Sequence, residues 1–224
     1  MALEFLKRIF NPNKVEIELN EIQALILRSR PIPYFGTVGI IEIKDAVAAR
    51  QMLQKLLPIV SSAEEWHKNE GASVTLTFTY KGLEKIGVPQ ESLDTFPESF
   101  KEGMAERSRF LYDIGVNDPK NWEKVFRRSH IHIAAAIIAN NEEAWKSKLE
   151  EFRSKLTNNS GVEVIMSHDF AVSEEVKNVF GFRDGISNPE IEYKDSVSKQ
   201  NQISDRFTMC LANPPFKGTI DAES

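Results

Sequence analysis

The sequence has 224 residues, of which 41% are hydrophobic and 27% charged, and its net charge is −5. This composition is typical of a globular protein, with material for one large domain or two small ones. The acidic balance gives no reason to expect a nucleic-acid partner. A single cysteine, Cys210, excludes a disulfide framework and a cysteine metal site within the chain. Residues 1–10 are too short and too charged for a signal sequence, and no later run is long enough for a membrane span, so we expect a cytoplasmic protein.

The first part of the chain predicts a lead-in, a strand, a helix and a second strand. Residues 1–20 form the lead-in, and residues 34–43 are apolar on both sides of the pleat, which indicates a buried strand. Asp45 is in position to cap a helix that runs to about Leu57, because apolar residues then recur at helical spacing. Residues 74–80 alternate between apolar and polar, as a strand with one buried face does.

The remaining elements repeat this order after an interruption. Residues 81–128 carry several glycines and prolines and predict a helical insertion. Residues 130–139 and 162–166 predict two further strands. The helix between those strands has an apolar stripe of Trp145, Leu149, Phe152 and Leu156. We therefore predict an α+β fold over residues 21–178, a ferredoxin-like unit whose antiparallel sheet carries helices on one face.

The four histidines do not form an obvious metal site. His130 and His132 alternate with isoleucines along the third predicted strand, so they share one face. A pair on a polar or helix-packed face is the more usual explanation than a metal pair. His67 lies in a polar loop, and His168 ends the fourth predicted strand, where a capping or loop role is expected. No residue is therefore predicted as a metal ligand.

Residues 179–190 form the most distinctive segment, Val-Phe-Gly-Phe-Arg-Asp-Gly-Ile-Ser-Asn-Pro-Glu. Gly181 and Gly185 allow close approach of the backbone, and Asp-Gly and Asn-Pro are turn dipeptides. Asp184 is thus expected in a stiff loop among apolar side chains, an environment suited to proton transfer. The plain alternative is that Asp184 and Gly185 form only a turn.

This segment resembles the Gly-x-x-Asp-Gly haem-pocket motif of dye-decolorizing peroxidases, and residues 103–122 are similar to another segment of that family. The resemblance implies the N-terminal half of a two-unit haem b peroxidase of the dimeric α/β-barrel superfamily, which uses hydrogen peroxide to oxidise aromatic or dye-like donors by single electrons. It also implies that Asp184 is the distal acid/base. The residues that it implies as the haem-binding set are Phe182, Arg183, Asp184, Gly185, Ile186 and Ser187. For Arg183 two alternatives stay open, a solvated turn residue or a partner of a haem propionate or of Asp184.

The chain departs from the family after this segment. Residues 191–224 are a polar tail, too short for a second four-stranded unit, and no histidine follows His168 to match the family's proximal ligand. We therefore expect the second unit on a separate C-terminal half or in a homo-oligomer, with truncation or a split gene as the origin. The alternative function is a non-catalytic ferredoxin-like assembly module or an inactive fragment.

Overall fold

The computed structural model describes residues 18–27, 32–64, 71–127, 130–156 and 161–172, together with the backbone of residues 190–191 and 202–203. In chain order, the helices and strands are α1 (Ala24–Leu27), β1 (Tyr34–Ile43), α2 (Ala46–Leu56), β2 (Ala72–Phe78), α3 (Tyr80–Ile86), α4 (Gln90–Asp94), α5 (Glu98–Glu106), β3 (Ile133–Ala139), α6 (Glu142–Leu156), β4 (Val162–Val172), β5 (Glu190–Ile191) and β6 (Gln202–Ile203). Short 3₁₀ helices lie at Leu19–Glu21, Leu57–Ile59, Gly115–Asn117 and Pro119–Asn121. None of the described helices is long and apolar enough to cross a membrane.

The first four strands form one sheet in the order β2-β3-β1-β4. Every neighbouring pair in this sheet is antiparallel. Since β1 and β2 are joined through α2, and β3 and β4 through α6, the arrangement is the predicted ferredoxin-like unit. Strand β1 lies in the interior of the sheet between β3 and β4, which explains why its sequence is apolar on both sides.

The core lies between the sheet and the layer formed by α2 and α6. Alternate residues of the strands face the helices, and each helix contributes one apolar stripe. The buried core residues are Ile41, Ile43, Ala49, Met52, Leu56, Val74, Leu76, Ile133, Ala135, Ile137, Leu149 and Phe152. The prediction that the helices cover one face of the sheet is confirmed.

Both covering helices begin at side-chain caps. The Asp45 carboxylate accepts a hydrogen bond from the Ala48 amide at 2.8 Å, so the predicted N-cap of α2 is confirmed. At the start of α6, the Asn141 side-chain oxygen accepts from the Ala144 amide at 2.8 Å. These caps satisfy amides that have no partner within the helix, and they fix where each helix starts.

Four predicted strand boundaries are wrong. Strand β2 begins at Ala72 rather than at residue 74. Strand β2 ends at Phe78, because Thr79 Oγ1 accepts a hydrogen bond from the Gly82 amide at 3.0 Å and starts α3. Strand β2 is also buried on both faces in its first half, where a single buried face was predicted. Strand β3 begins only at Ile133, and β4 continues to Val172 because it pairs along the whole length of β1.

A close contact joins α3 to the start of β3. Gly82 is buried, and a Cβ built on it would collide with the carbonyl group of His132. The side chain of Thr79 also donates to the Ile131 carbonyl at 2.7 Å. The helix can therefore approach this backbone only with glycine at position 82.

We predict that Gly82→Ala lowers the free energy of unfolding by about 1–3 kcal/mol, because the new methyl group must displace backbone atoms rather than a flexible side chain. The sign of this change in unfolding free energy distinguishes crowding from helix propensity. The same substitution at an uncrowded helical position stabilises a protein by about 1 kcal/mol. Urea denaturation followed by far-ultraviolet circular dichroism measures the difference. Gly71→Ala is the matched control, because nothing lies within 4 Å of the added methyl group there. Equal midpoints for the two variants would contradict the prediction.

Candidate functional site

The segment that the sequence singles out lies outside the described residues. This applies to Phe182, Arg183, Asp184, Gly185, Ile186 and Ser187. Their assigned roles therefore stay predictions. What the structure does describe is the strand that leads toward them, since β4 ends at Val172, which pairs with Tyr34 at the start of β1.

Two hydrogen bonds through three side chains, which we call the relay, connect β4 to β1 and α6. The Trp145 indole N–H donates to Thr37 Oγ1 at 2.9 Å, and Thr37 Oγ1 donates to the Asp169 carboxylate at 2.7 Å. Phe35 stacks on Trp145, with ring centroids 6.4 Å apart. The relay connects α6, β1 and β4 on the helix-covered side of the sheet. Sequence analysis missed it; the available signal was a threonine, Thr37, in a buried apolar strand, where its hydroxyl needs a partner.

The other side of the sheet, which we call the second face, carries the residues that alternate with those of the core. On β1, β3 and β4 these are Val38, Ile40, Ala134, Ala136, Ile138, Met166, His168 and Phe170, and on β2 they are the polar residues Ser73, Thr75 and Thr77. Ile40 and Ile138 are buried, whereas Met166 and Phe170 are half-buried and His168 is exposed. On the same face, the Thr75 hydroxyl is buried without a hydrogen-bond partner in the described part of the chain.

A polar cluster lies at the end of the sheet where β1 finishes. The Lys44 ammonium contacts the carboxylates of Glu42 and Glu163 at 2.8 and 3.0 Å. The hydrogen bond from Lys44 lowers the pKa of Glu42, so this nearly buried carboxyl stays ionised. The ring of His130 lies beside that of His132, with centroids 6.4 Å apart. Both residues precede β3, which begins at Ile133, so the prediction that they lie on one face of a strand is wrong.

His132 has a structural role at this end of the sheet. Its side chain is 6% exposed, and its Nδ1 accepts a hydrogen bond from the Ile43 amide at 2.8 Å. This bond requires an unprotonated Nδ1, so the neutral ring carries its proton on Nε2. Burial lowers the pKa of His132, which keeps the ring neutral. His132 therefore satisfies a backbone donor between β1 and β3.

His132 does not fit the axial ligand of a haem iron. A histidine ligand typically donates its second ring N–H to a carboxylate or carbonyl, which holds the ring in place. The Nδ1 of His132 is an acceptor from a backbone amide instead, and His130 and His168 are exposed. Within the described ranges, no group of three or more His, Cys, Asp or Glu side chains could hold a metal ion. The iron ligand of a haem site is therefore not His132.

The family of the chain follows from its sequence and its sheet together. The family model described as "DyP dimeric alpha+beta barrel domain" matches residues 22–172, which contain the complete four-stranded sheet. The chain belongs to the dye-decolorizing peroxidase family. Its matched part is the N-terminal portion of such a peroxidase, so the resemblance seen in the sequence is confirmed.

Individual relatives agree with this assignment. The chain is 25% identical over 187 residues to Peroxidase 2 of Mycetinis scorodonius, an alignment that covers 80% of this chain and 35% of that protein. An ancestral D-type dye-decolorizing peroxidase superposes with a TM-score of 0.67 at 25% identity, covering 78% of this chain and 40% of that one. A dye-decolorizing peroxidase in complex with 2,6-dimethoxyphenol gives 0.70 at 21% identity, covering 84% and 42%. The chain thus spans less than half the length of these relatives.

We predict that acidification destabilises the fold through His132. The unfolded chain takes up this proton near the ordinary pKa of 6.5, whereas folded His132 takes it up only at lower pH. Between the two pKa values the unfolded state binds more protons, so the free energy of unfolding falls as the pH falls, by at most about 1.4 kcal/mol per pH unit. Urea midpoints measured from pH 7.5 to 5.0 test this.

The comparison of two variants isolates the contribution of this histidine. The free energy of unfolding of His132→Gln should depend less steeply on pH than that of the unmodified protein, because the substitution removes the titrating group. Gln54→Ala, at an exposed position of α2 with no titrating group, should keep the original slope. Parallel pH curves for the unmodified protein and His132→Gln would refute the assignment.

Proposed function

We propose that this chain supplies the distal half of the haem site of a dye-decolorizing peroxidase, with haem b as the cofactor. The observation that carries the proposal is the combination of family membership over residues 22–172 with the Gly-x-x-Asp-Gly segment at residues 181–185. The reaction proposed is the oxidation of aromatic or dye-like donors by hydrogen peroxide in single-electron steps. The complex of one structural relative with 2,6-dimethoxyphenol supports an aromatic donor as the substrate class.

The proposed role of Asp184 is proton transfer. Haem, when bound, supplies the redox chemistry that uses peroxide as oxidant. The Asp184 carboxylate accepts a proton from one oxygen of hydrogen peroxide and returns it to the other, so that the departing oxygen leaves as water. Positioned proton transfer of this kind typically accelerates a reaction by a factor of about 10²–10⁴. The proposed haem contacts of this chain are Phe182, Arg183, Gly185, Ile186 and Ser187.

The proposed partner is the second unit that carries the iron ligand. One observation supports it: His132, which is buried in the described part of the chain, accepts a backbone hydrogen bond and does not fit that role. The half-buried Met166 and Phe170 on the second face favour a contact on that side, because partly exposed apolar side chains are common in protein interfaces. The proposed sources of this unit are a continuation of the same protein, a separate C-terminal polypeptide and a second copy of this chain. The cytoplasmic location stays a prediction.

A non-catalytic assembly module is the second candidate. The observation that favours it is a group of exposed large apolar side chains in the insertion, including Met104, Phe110, Tyr112, Ile114 and Val116. Such side chains suit a protein contact whether or not haem is bound. The two candidates differ in one respect, because only the peroxidase requires Asp184.

A hemin titration tests the proposal. We predict that residues 1–224 alone show no saturable one-to-one shift of the Soret band, because the proposed iron ligand belongs to the second unit. When the polypeptide from the same organism that carries the second unit is added, we predict one-to-one binding and peroxide-dependent dye oxidation. Asp184→Asn should then lower the oxidation rate by about 10²–10⁴ while hemin binding is kept.

The control is Asp94→Asn, an exposed carboxylate at the end of α4, which should retain full activity. If Asp184→Asn oxidises dye at the unmodified rate, the proposed role of Asp184 is wrong. If the chain alone binds hemin one-to-one and is active, the peroxidase proposal is supported and the proposal of a second unit is wrong. If neither sample binds hemin, the assembly module is the better account.

A further inference from the structure

The insertion contains a cleft that the proposed haem chemistry does not use. It lies between the start of α3, the helix α5 and residues 122–127, and its volume is about 660 Å³. Small-molecule sites typically occupy about 300–1,000 Å³, so a molecule of one or two rings fits this cleft. Its apolar lining consists of Tyr80, Phe100, Met104, Trp122, Phe126 and Ile131.

The aromatic walls of the cleft are held in place by their neighbours. Tyr80 and Phe100 meet edge to face, with centroids 6.3 Å apart and an interplanar angle of 87°, and Phe96 supports Phe100 at 5.0 Å. The Trp122 indole N–H donates to the Asn117 carbonyl at 2.8 Å, so the polar atom of this ring is satisfied within the protein. What the rings offer to a ligand is therefore aromatic surface, and planar aromatic molecules pack well against it.

The charges around the cleft exclude a strong preference for an ion. Among the lining residues, Lys101 is paired with Glu98 at 2.8 Å, and Glu102 lies 3.8 Å from Arg107. The other charged residues of the lining are two of each sign, Lys81 and Arg127 with Glu106 and Glu123. A binding site for a charged ligand would place one sign of charge or a fixed ion-pair partner at the ligand. This balance favours an uncharged ligand.

We propose that this cleft is a binding site for an uncharged planar aromatic molecule, of the size of a substituted phenol. The inference rests on the proposed function in one respect only, that the bound molecule would belong to the class of reducing substrates. Binding itself needs neither haem nor peroxide. It can therefore be tested on the chain as it stands, whatever the outcome of the hemin titration.

The experiment compares 2-methoxyphenol with its carboxylated counterpart, 4-hydroxy-3-methoxybenzoate, at pH 7. Binding is followed by the shift of the Trp122 indole resonance in ¹H–¹⁵N spectra of the chain, assigned with Trp122→Phe. We expect saturable binding of 2-methoxyphenol and several-fold weaker binding of the carboxylate. Phe126→Ala should weaken 2-methoxyphenol binding about five- to tenfold, because it removes one aromatic wall. Phe126 is 40% exposed, so the variant should still fold.

Phe110→Ala is the matched control. Phe110 is an exposed phenylalanine of the same insertion and contacts Arg107 rather than the cleft. It should leave the dissociation constant unchanged. The inference is overturned if the indole resonance does not shift saturably, if the carboxylate binds as tightly as the phenol, or if the two alanine variants weaken binding equally. It is also overturned if the chain self-associates through the cleft, which analytical ultracentrifugation would show as a dimer that Phe126→Ala dissociates.

Discussion

The pairing of β1 with β3 and β4 is the constraint on which the rest of the described structure depends. Because β1 hydrogen-bonds on both edges, it sets the register of the sheet, with Val38 opposite Ala136 on one side and His168 on the other. The same strand carries Thr37, which links the helical layer to β4 through Trp145. The end of β4, from which the chain continues toward Asp184, is therefore fixed by contacts made at the centre of the sheet.

The sequence could predict those features that depend on neighbouring residues along the chain. The apolar run of β1, the Asp45 cap of α2 and the stripe of α6 are local patterns, and each appears in the structure. The length of β4 was missed because its last residues include polar ones, and pairing with the distant strand β1 decides its extent. The burial of His132 depends in the same way on the amide of Ile43, 89 residues earlier. The Asp184 segment was recognisable from its residue types, but its geometry lies outside the described residues.

The two faces of the sheet are stabilised in different ways. The helix-covered side is closed by α2 and α6, and its polar side chains, such as Thr37 and Asp169, are paired. On the second face, Met166 and Phe170 are only half-buried, and the Thr75 hydroxyl lacks a partner within the described part of the chain. A buried hydroxyl without a partner costs about 1–3 kcal/mol. A partner that covered Met166 and Phe170 would remove their remaining apolar surface from water, so these two residues favour association.

The tautomer of His132 bears directly on how a haem site could be built. A ring that accepts a backbone hydrogen bond at Nδ1 stabilises the sheet only while it is neutral, and turning it toward iron would leave the Ile43 amide unsatisfied. Within the described part of the chain, the only buried histidine therefore serves the stability of the sheet. On the proposed function, the proton-transfer group and the iron ligand belong to different units. Assembly of the two units would be a condition for peroxide chemistry.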